Sequence, residues 1–211
     1  MKLILTSSGI DENVYQALGN LLNDKADISV GFVTSSAKYE SNPGALTTRL
    51  QGISDNLLSL GFIKADGYYL PKYSDDYLLN ALRGYDVIYI FGGNAFNLLS
   101  VARQVGFEQV LNKLKGEKII VGQSSGSYIL CPNIEMATWK GTNSNDVGLK
   151  DLSGFNYVPF LVTAHYSDKI SASVKEGANK FGIKTYALED GQAIVINNED
   201  ITFIGNPIVL N

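Results

Sequence analysis

A serine in a glycine-bounded turn is the feature of this sequence with the clearest chemical meaning. The segment Gly122-Gln123-Ser124-Ser125-Gly126 directly follows an apolar run at 118–121. A serine at a sharp strand-to-helix turn points its hydroxyl out of the sheet, and small flanking residues relieve the crowding there. The amide that follows the serine can bind a developing oxyanion. The pattern predicts Ser124 as a nucleophile and Ser125 N–H as an oxyanion donor, although chains rich in glycine and serine also contain such spacings by chance.

The base for this serine can come from only one residue. His165 is the single histidine of the chain, and it follows an apolar run at 158–164 that is typical of a strand. A strand ending at the same sheet edge as the serine turn would bring the imidazole close to Ser124. A lone histidine can also make a purely structural hydrogen bond, but this position favours a catalytic base.

A second glycine turn, Gly92-Gly93-Asn94, ends another apolar run and opens a helical pattern. Glycines at such a turn let backbone amides approach a ligand closely, which would suit a second oxyanion donor. A phosphate or dinucleotide turn is the rival interpretation, and the absence of a G-x-G-x-x-G pattern weakens it. Asn94 can in either case cap the following helix.

Sequence spacing does not choose the carboxylate that would orient the histidine, because known triads use unrelated chain orders. The candidates are Asp146, Asp151, Asp168, Glu189 and Asp190. The single cysteine, Cys131, is interpreted as a small buried apolar residue and not as a nucleophile. The His, Cys, Asp and Glu residues show no metal-ligand spacing, so we expect no metal and no cofactor.

The order of apolar and amphipathic runs predicts an α/β fold with a mostly parallel sheet and helices on both faces. Runs typical of strands buried on both faces lie at Lys2–Thr6, 28–34, 86–91, 118–122 and 158–164. Helices are predicted after Asp11, around Leu46, over Asp75–Leu82, from Asn94 with a break at Gly106, and after Ser167. Two short runs, 193–196 and 201–205, predict a β-hairpin at one sheet edge. We expect one domain over residues 1–211.

Composition excludes several classes of function. The chain has 211 residues, of which 45% are hydrophobic and 18% charged, and this suits a folded domain. The net charge of −4 argues against a nucleic-acid partner, because phosphate binding needs a basic face. The apolar runs are too short for a membrane span or a signal peptide. One cysteine allows no internal disulfide, which fits a reducing compartment, so we expect a cytoplasmic protein. We also expect no membrane contact, and either a monomer or a homodimer.

In this order, the motifs resemble the peptidase E (aspartyl dipeptidase) and cyanophycinase family of serine peptidases. The resemblance is carried by Phe91-Gly92-Gly93-Asn94, the serine turn continued by Ser127, Cys131-Pro132, and His165-Tyr166. It implies a class I glutamine amidotransferase-like, flavodoxin-like fold with serine in place of cysteine. It also implies a small peptide or amide as substrate, with Ser124 as nucleophile, His165 as base, and the Gly93 and Ser125 amides as the oxyanion hole.

The resemblance also narrows the choice of acid. The family acid is usually a late glutamate before a small turn and an apolar strand, and Leu188-Glu189-Asp190-Gly191 fills that segment here. Alignment on Gly191 puts Asp190 at the acid position with Glu189 beside it, and Asp146 matches another acidic position of the family. We therefore take Asp190 as the acid, and Asp146 and Glu189 as secondary candidates.

One family feature is absent from the sequence. An arginine after the histidine binds the aspartyl carboxylate of the substrate in peptidase E, but this chain has no arginine after Arg103 and offers only lysines such as Lys169. We therefore expect weak discrimination for aspartyl substrates. The main alternative is a non-catalytic amidotransferase-like binding domain that retains the serine turn. Glutamine amidotransferase activity is a further alternative, disfavoured because the turn carries serine and no His-x-Glu follows. A flavodoxin-like protein that binds a flavin or a nucleotide is another.

Overall fold

The larger of two sheets forms the centre of the computed structural model, which describes residues 1–35 and 43–210. Its parallel strands are β1 (Lys2–Thr6), β2 (Ser29–Thr34), β3 (Lys64–Tyr69), β4 (Val87–Ile90) and β5 (Ile119–Gln123). Strands β8 (Ala193–Asn197) and β9 (Asp200–Ile204) form an antiparallel hairpin, and the order across the sheet is β3-β2-β4-β5-β1-β8-β9. The predicted mostly parallel sheet with a hairpin at one edge is confirmed.

The helices agree closely with the amphipathic patterns. They are α1 (Glu12–Leu21), α2 (Pro43–Ser59), α3 (Asp75–Leu82), α4 (Ala95–Gln104), α5 (Phe107–Leu114), α6 (Ser125–Tyr128) and α7 (Ser171–Phe181). Asp11 caps α1 by accepting the Val14 N–H at 3.0 Å. Gly106, with φ +67°, separates α4 from α5, which explains the break in the pattern. Among the described residues, none of the helices is both long enough and apolar enough to span a bilayer.

Alternate residues of the central strands pack against helices on opposite faces of the sheet. Leu3, Ile88 and Ile120 contribute to a core cluster with residues of α3, α4 and α5. Their chain neighbours Ile4 and Tyr89 contribute instead to a second cluster with residues of α1 and α2. This alternation is the period of two that strand geometry imposes, and burial on both faces explains why the strands read as continuous apolar runs.

The strand that precedes His165 does not belong to the larger sheet. Strands β6 (Leu161–Thr163), β7 (Thr185–Ala187) and β10 (Ile208–Leu210) form a smaller sheet in the order β10-β7-β6. The expectation that His165 ends a strand of the same sheet as Ser124 is therefore wrong. Both sides of β1 and β5 are already paired, β1 with β5 and β8, and β5 with β1 and β4, so no place remains for β6 beside the serine turn.

Two further details differ from the expectations. Strand β3 is an edge strand with a polar and glycine-containing sequence, which gives little apolar pattern to read. After Ser167 the chain makes a 3₁₀ turn at Asp168–Ile170 before α7 begins, and the Ser167 side chain makes no capping hydrogen bond. Ser171, the first residue of α7, accepts a hydrogen bond from the Tyr166 hydroxyl at 2.8 Å.

Candidate active site

Ser124 lies at a strained turn between β5 and α6. Its φ of +49° with ψ of −112° lies outside the regions that non-glycine residues normally adopt, and such strain persists only where neighbouring structure enforces it. The Ser124 N–H donates to Thr6 O at 2.9 Å, which ties the turn to the end of β1. The turn therefore projects the serine side chain at the carboxyl end of the parallel strands, where α/β proteins form their sites.

The glycines on either side of Ser124 are required by close backbone contacts. A Cβ atom at Gly122 would lie 2.7 Å from the carbonyl oxygen of Gly126, and a Cβ at Gly126 would lie 2.2 Å from Ile90 O. Real Cβ atoms essentially never lie within 3.0 Å of another heavy atom in this way, so only glycine lets α6 pack this closely on β4 and β5. The glycine spacing read from the sequence thus has a steric cause.

We expect Gly126→Ala to destabilise the protein by about 3 kcal/mol or more, because the backbone at Ile90 would have to move. Gly19→Ala is the matched control, since a Cβ there meets nothing within 4 Å and alanine favours the helix by about 0.5–1 kcal/mol. Urea unfolding of both variants measures the difference. Equal unfolding midpoints for Gly126→Ala and the wild type would contradict the steric argument.

Two backbone amides near Ser124 have no hydrogen-bond partner among the described residues. Gly93 has φ +148°, which favours glycine, and a Cβ at Gly92 would lie 3.2 Å from Ser124 Cβ, so this turn lies against the serine. Ser125 Oγ donates to Gly93 O at 2.6 Å and thereby links the two turns. Within the described residues, the N–H groups of Gly93 and Ser125 have no hydrogen-bond acceptor. Asn94 caps α4 by accepting the Asn97 N–H at 3.0 Å.

His165 pairs with Asp190. The distance between His165 Nδ1 and Asp190 Oδ1 is 2.6 Å, and the two side chains are 44% and 66% exposed. This contact leaves Nε2 as the ring nitrogen available to Ser124. His165 and Ser124 line the same cavity, even though the histidine follows a strand of the smaller sheet.

The other carboxylates considered from the sequence lie in different contacts. Glu189 is exposed, and within the part of the chain that is described its carboxylate accepts no hydrogen bond. Asp146 is exposed and accepts a hydrogen bond from Ser144 Oγ at 2.6 Å. Asp151 pairs with Arg103 at 3.0 Å, and Asp168 is exposed in the 3₁₀ turn. Of the five carboxylates, Asp190 is the one whose side chain contacts the histidine.

The cavity at Ser124 has a volume of about 380 Å³, which is within the range of small-molecule sites in proteins. Gly92, Gly93, Gln123, Ser124 and His165 line one part of it, and two cationic side chains, Arg49 and Lys140, line another. The described lining residues include no carboxylate.

Sequence reasoning missed both cations. Arg49 lies on the exposed face of α2, with its guanidinium carbon 5.6 Å from the ring centre of Phe91. Lys140 lies in an irregular segment, and its ammonium donates to Tyr128 Oη at 2.9 Å and to Ala164 O at 2.6 Å. Neither position has a local pattern that marks it. Lys169, the lysine considered from the sequence, is exposed and lies outside this cavity.

Cys131 is fully buried, and its thiol donates to Ser127 O at 3.4 Å. Burial raises the pKa of this thiol to about 12, so the thiolate needed for nucleophilic attack is not formed near neutral pH. The cysteine therefore contributes to packing behind the serine turn.

A serine at a strained strand-to-helix turn lines one cavity with a histidine that pairs with a carboxylate, and this combination is typical of hydrolases with an α/β fold. The profile of peptidase family S51 matches residues 3–204, which is nearly the whole chain. The chain belongs to peptidase family S51, and the resemblance to peptidase E read from the sequence is confirmed.

Individual relatives share less than a third of their aligned residues with this chain. An uncharacterized peptidase of Pasteurella multocida (strain Pm70) is 31% identical over 129 residues, covering 57% of this chain and 60% of the relative. A Nostoc sp. protein named Peptidase E is 23% identical over 158 residues, covering 68% of this chain and 61% of the relative. The chain thus spans about three-fifths of the length of these relatives.

Solved structures share the fold. A proposed peptidase E from Listeria monocytogenes EGD-e has a TM-score of 0.70 at 23% identity, with 96% of each chain covered. A peptidase from an acI-B1 actinobacterium has a TM-score of 0.67 at 13% identity, covering 99% of this chain and 93% of that chain. At these identities the likeness concerns the fold alone.

Proposed function

We propose that this chain is a serine peptidase that cleaves a small peptide or amide through an acyl-enzyme on Ser124. The observation that carries the proposal is the 2.6 Å contact between His165 Nδ1 and Asp190 Oδ1 at the cavity that Ser124 also lines. A carboxylate at Nδ1 favours the tautomer with its proton there, and Nε2 is then free to act as a base. Family membership supports the same class of reaction.

In the first half of the proposed reaction, Ser124 Oγ attacks the substrate carbonyl carbon while His165 Nε2 takes the hydroxyl proton. The carbonyl oxygen becomes an oxyanion, which the N–H groups of Gly93 and Ser125 bind. The C–N bond then breaks, and the imidazolium of His165 gives its proton to the departing amine. The ester left on Ser124 is the acyl-enzyme.

In the second half, a water molecule attacks the ester carbonyl and His165 takes its proton. The same two amides bind the second oxyanion, and Ser124 leaves as an alkoxide that recovers the proton from His165. The products are a carboxylic acid and an amine, and the enzyme returns to its starting state. Asp190 carries the compensating negative charge whenever His165 is an imidazolium.

The cations of the cavity favour a substrate with an anionic group. Arg49 and Lys140 form no ion pair with the described residues, so a carboxylate of the substrate would meet an uncompensated positive charge. From the sequence, Lys169 is the candidate for binding a substrate carboxylate. Arg49 and Lys140 are the candidates that the cavity adds. Lys140 offers only a point charge, and among the described residues no ion pair fixes the Arg49 guanidinium. We therefore still expect the preference for Asp-Leu over Asn-Leu to stay well under 10⁴-fold.

We expect the ratio of kcat/KM for Asp-Leu over Asn-Leu to fall by about 10- to 100-fold when the responsible cation is removed, as a hydrogen bond to a charged group contributes about 1.5–3 kcal/mol. Arg49→Met and Lys140→Met are the two tests, and Lys169→Met is the matched control outside the cavity. Turnover of Ala-Leu by each variant corrects for general damage to the site. A preference for Asp-Leu that survives both Arg49→Met and Lys140→Met would mean that another group of the protein binds the carboxylate.

The proposal as a whole is tested by fluorophosphonate labelling together with a panel of dipeptides and isopeptides, each on the wild type and on Ser124→Ala. A wild-type protein that neither labels nor cleaves any member of the panel would favour a non-catalytic binding domain. We also propose a cytoplasmic location, in line with the single buried cysteine, and a monomer or homodimer as the working assembly.

A further inference from the structure

The hydroxyl of Ser7 contacts both members of the histidine–carboxylate pair. Ser7 follows the last residue of β1 and is fully buried. Its Oγ accepts the His165 N–H at 2.7 Å and lies 3.0 Å from Asp190 Oδ1, the same oxygen that contacts the imidazole. One side chain from the centre of the larger sheet thus touches the backbone of the histidine and the carboxylate of its partner.

The single proton of this hydroxyl is directed at Asp190. Leu188 O is the other acceptor within reach, at 3.3 Å, but it already accepts the Tyr166 N–H at 2.9 Å. Asp190 Oδ1 is closer and belongs to a charged group, and hydroxyl donors bind carboxylates more strongly than neutral carbonyls. Ser7 therefore accepts from His165 and donates to Asp190 at the same time.

His165 needs such an anchor because its backbone is strained. Its φ of +54° lies in the left-handed region, which costs free energy for a residue with a Cβ atom. Three successive amides hold it there: Ala164 N–H donates to Tyr128 Oη at 3.0 Å, His165 N–H to Ser7 Oγ, and Tyr166 N–H to Leu188 O. Of these three anchors, only Ser7 also contacts Asp190.

We propose that Ser7 is a positioning residue, which fixes the orientation of Asp190 against His165 Nδ1 and so keeps the imidazole proton on that nitrogen. For catalysis the inference rests on the proposed function, because Nε2 must stay unprotonated to accept the Ser124 proton. Asp190 is 66% exposed and would otherwise have rotational freedom, so a buried donor at a fixed place restricts it. Ser7 itself touches no reacting atom.

The test uses the fact that the chain contains one histidine, whose two ring nitrogens give unambiguous 15N NMR signals. At alkaline pH, where an imidazole is neutral, we expect the wild type to carry its proton mainly on Nδ1 and Ser7→Ala to shift toward the Nε2–H tautomer. We expect kcat to fall by about 10- to 100-fold in Ser7→Ala with KM nearly unchanged, as small displacements at a reacting group have effects of this size.

Ser8→Ala is the matched control. Ser8 Oγ accepts the Gly191 N–H at 2.9 Å and so contacts the same acid-bearing turn, but it touches neither the imidazole nor the carboxylate. Its tautomer ratio and kcat should match those of the wild type. Ser7→Thr restores a hydroxyl and should recover the Nδ1–H tautomer.

If Ser7→Ala fails to fold, Ser7→Cys keeps a side chain of similar size with a much weaker donor, and the same tautomer shift is expected. A wild-type tautomer ratio and wild-type kcat in a folded Ser7→Ala or Ser7→Cys variant would overturn the inference. The NMR measurement needs no turnover. A tautomer shift in a protein that no fluorophosphonate labels would therefore leave the role of Ser7 intact while contradicting the proposed peptidase.

Discussion

Ser124→Ala is expected to abolish covalent labelling by a fluorophosphonate and to lower turnover by about six orders of magnitude, the loss typical of a removed catalytic serine. The physical reason is that the acyl-enzyme cannot form without Oγ. The two free amides and the cavity remain in the variant, so residual rate above the uncatalysed reaction would reflect binding and oxyanion stabilisation alone.

The fold should tolerate this change, which makes the result easy to interpret. The Ser124 side chain donates no hydrogen bond to the described residues, and its N–H still binds Thr6 O in the alanine variant. The positive φ is equally strained for serine and alanine, so the thermal midpoint should move little. Ser173→Ala, which removes a hydroxyl from the exposed face of α7, is the matched control and should label like the wild type.

Labelling that persists in Ser124→Ala would mean that the nucleophile lies elsewhere. Absence of labelling in the wild type, with a folded protein and an intact His165–Asp190 contact, would instead favour a binding domain that keeps the serine turn. The two outcomes are distinct: the first contradicts Ser124 as the nucleophile, and the second contradicts the proposed peptidase activity.

The fold could be predicted largely from the sequence because most of its strands are buried on both faces. Continuous apolar runs of strand length, separated by amphipathic helices, leave little choice but a covered parallel sheet. The strands that the sequence did not predict have low apolar content or short length. They are the edge strand β3 and the three-residue strands β7 and β10. Periodicity over three residues is too short to indicate a strand.

The serine turn could be predicted because steric need and chemistry coincide there. Close backbone contacts require glycine at positions 122 and 126, so the glycine spacing in the sequence directly indicates the tight turn. The uniqueness of His165 predicts it as the base, but the sequence does not predict that it reaches the cavity from the smaller sheet, because strand pairing depends on which sheet positions are already filled. Arg49 and Lys140 line the same cavity only through tertiary packing, and no spacing along the chain indicates that.

Asp190→Asn is expected to lower kcat by about 10²- to 10⁴-fold, with the wild-type fold retained. The carboxylate compensates the charge of the imidazolium that forms as His165 takes the Ser124 proton, and an amide cannot do so. An asparagine can also turn its NH₂ group toward Nδ1, which favours the tautomer that cannot act as a base. Loss of a buried triad aspartate costs about 10⁴-fold, and the 66% exposure of Asp190 brings the expected loss toward the lower end of the range.

Two neighbouring carboxylates supply the controls for this prediction. Glu189→Gln changes the adjacent residue, whose exposed carboxylate has no partner within the described residues, and Asp146→Asn removes the acid that binds Ser144 Oγ. Both variants should keep kcat within a few-fold of the wild type, because neither carboxylate contacts the imidazole. If Asp146→Asn proves more damaging than Asp190→Asn while both proteins stay folded, Asp190 is not the acid. The 2.6 Å contact with His165 would then belong to a resting arrangement that the substrate rearranges, since the acid must face Nδ1 while the proton moves.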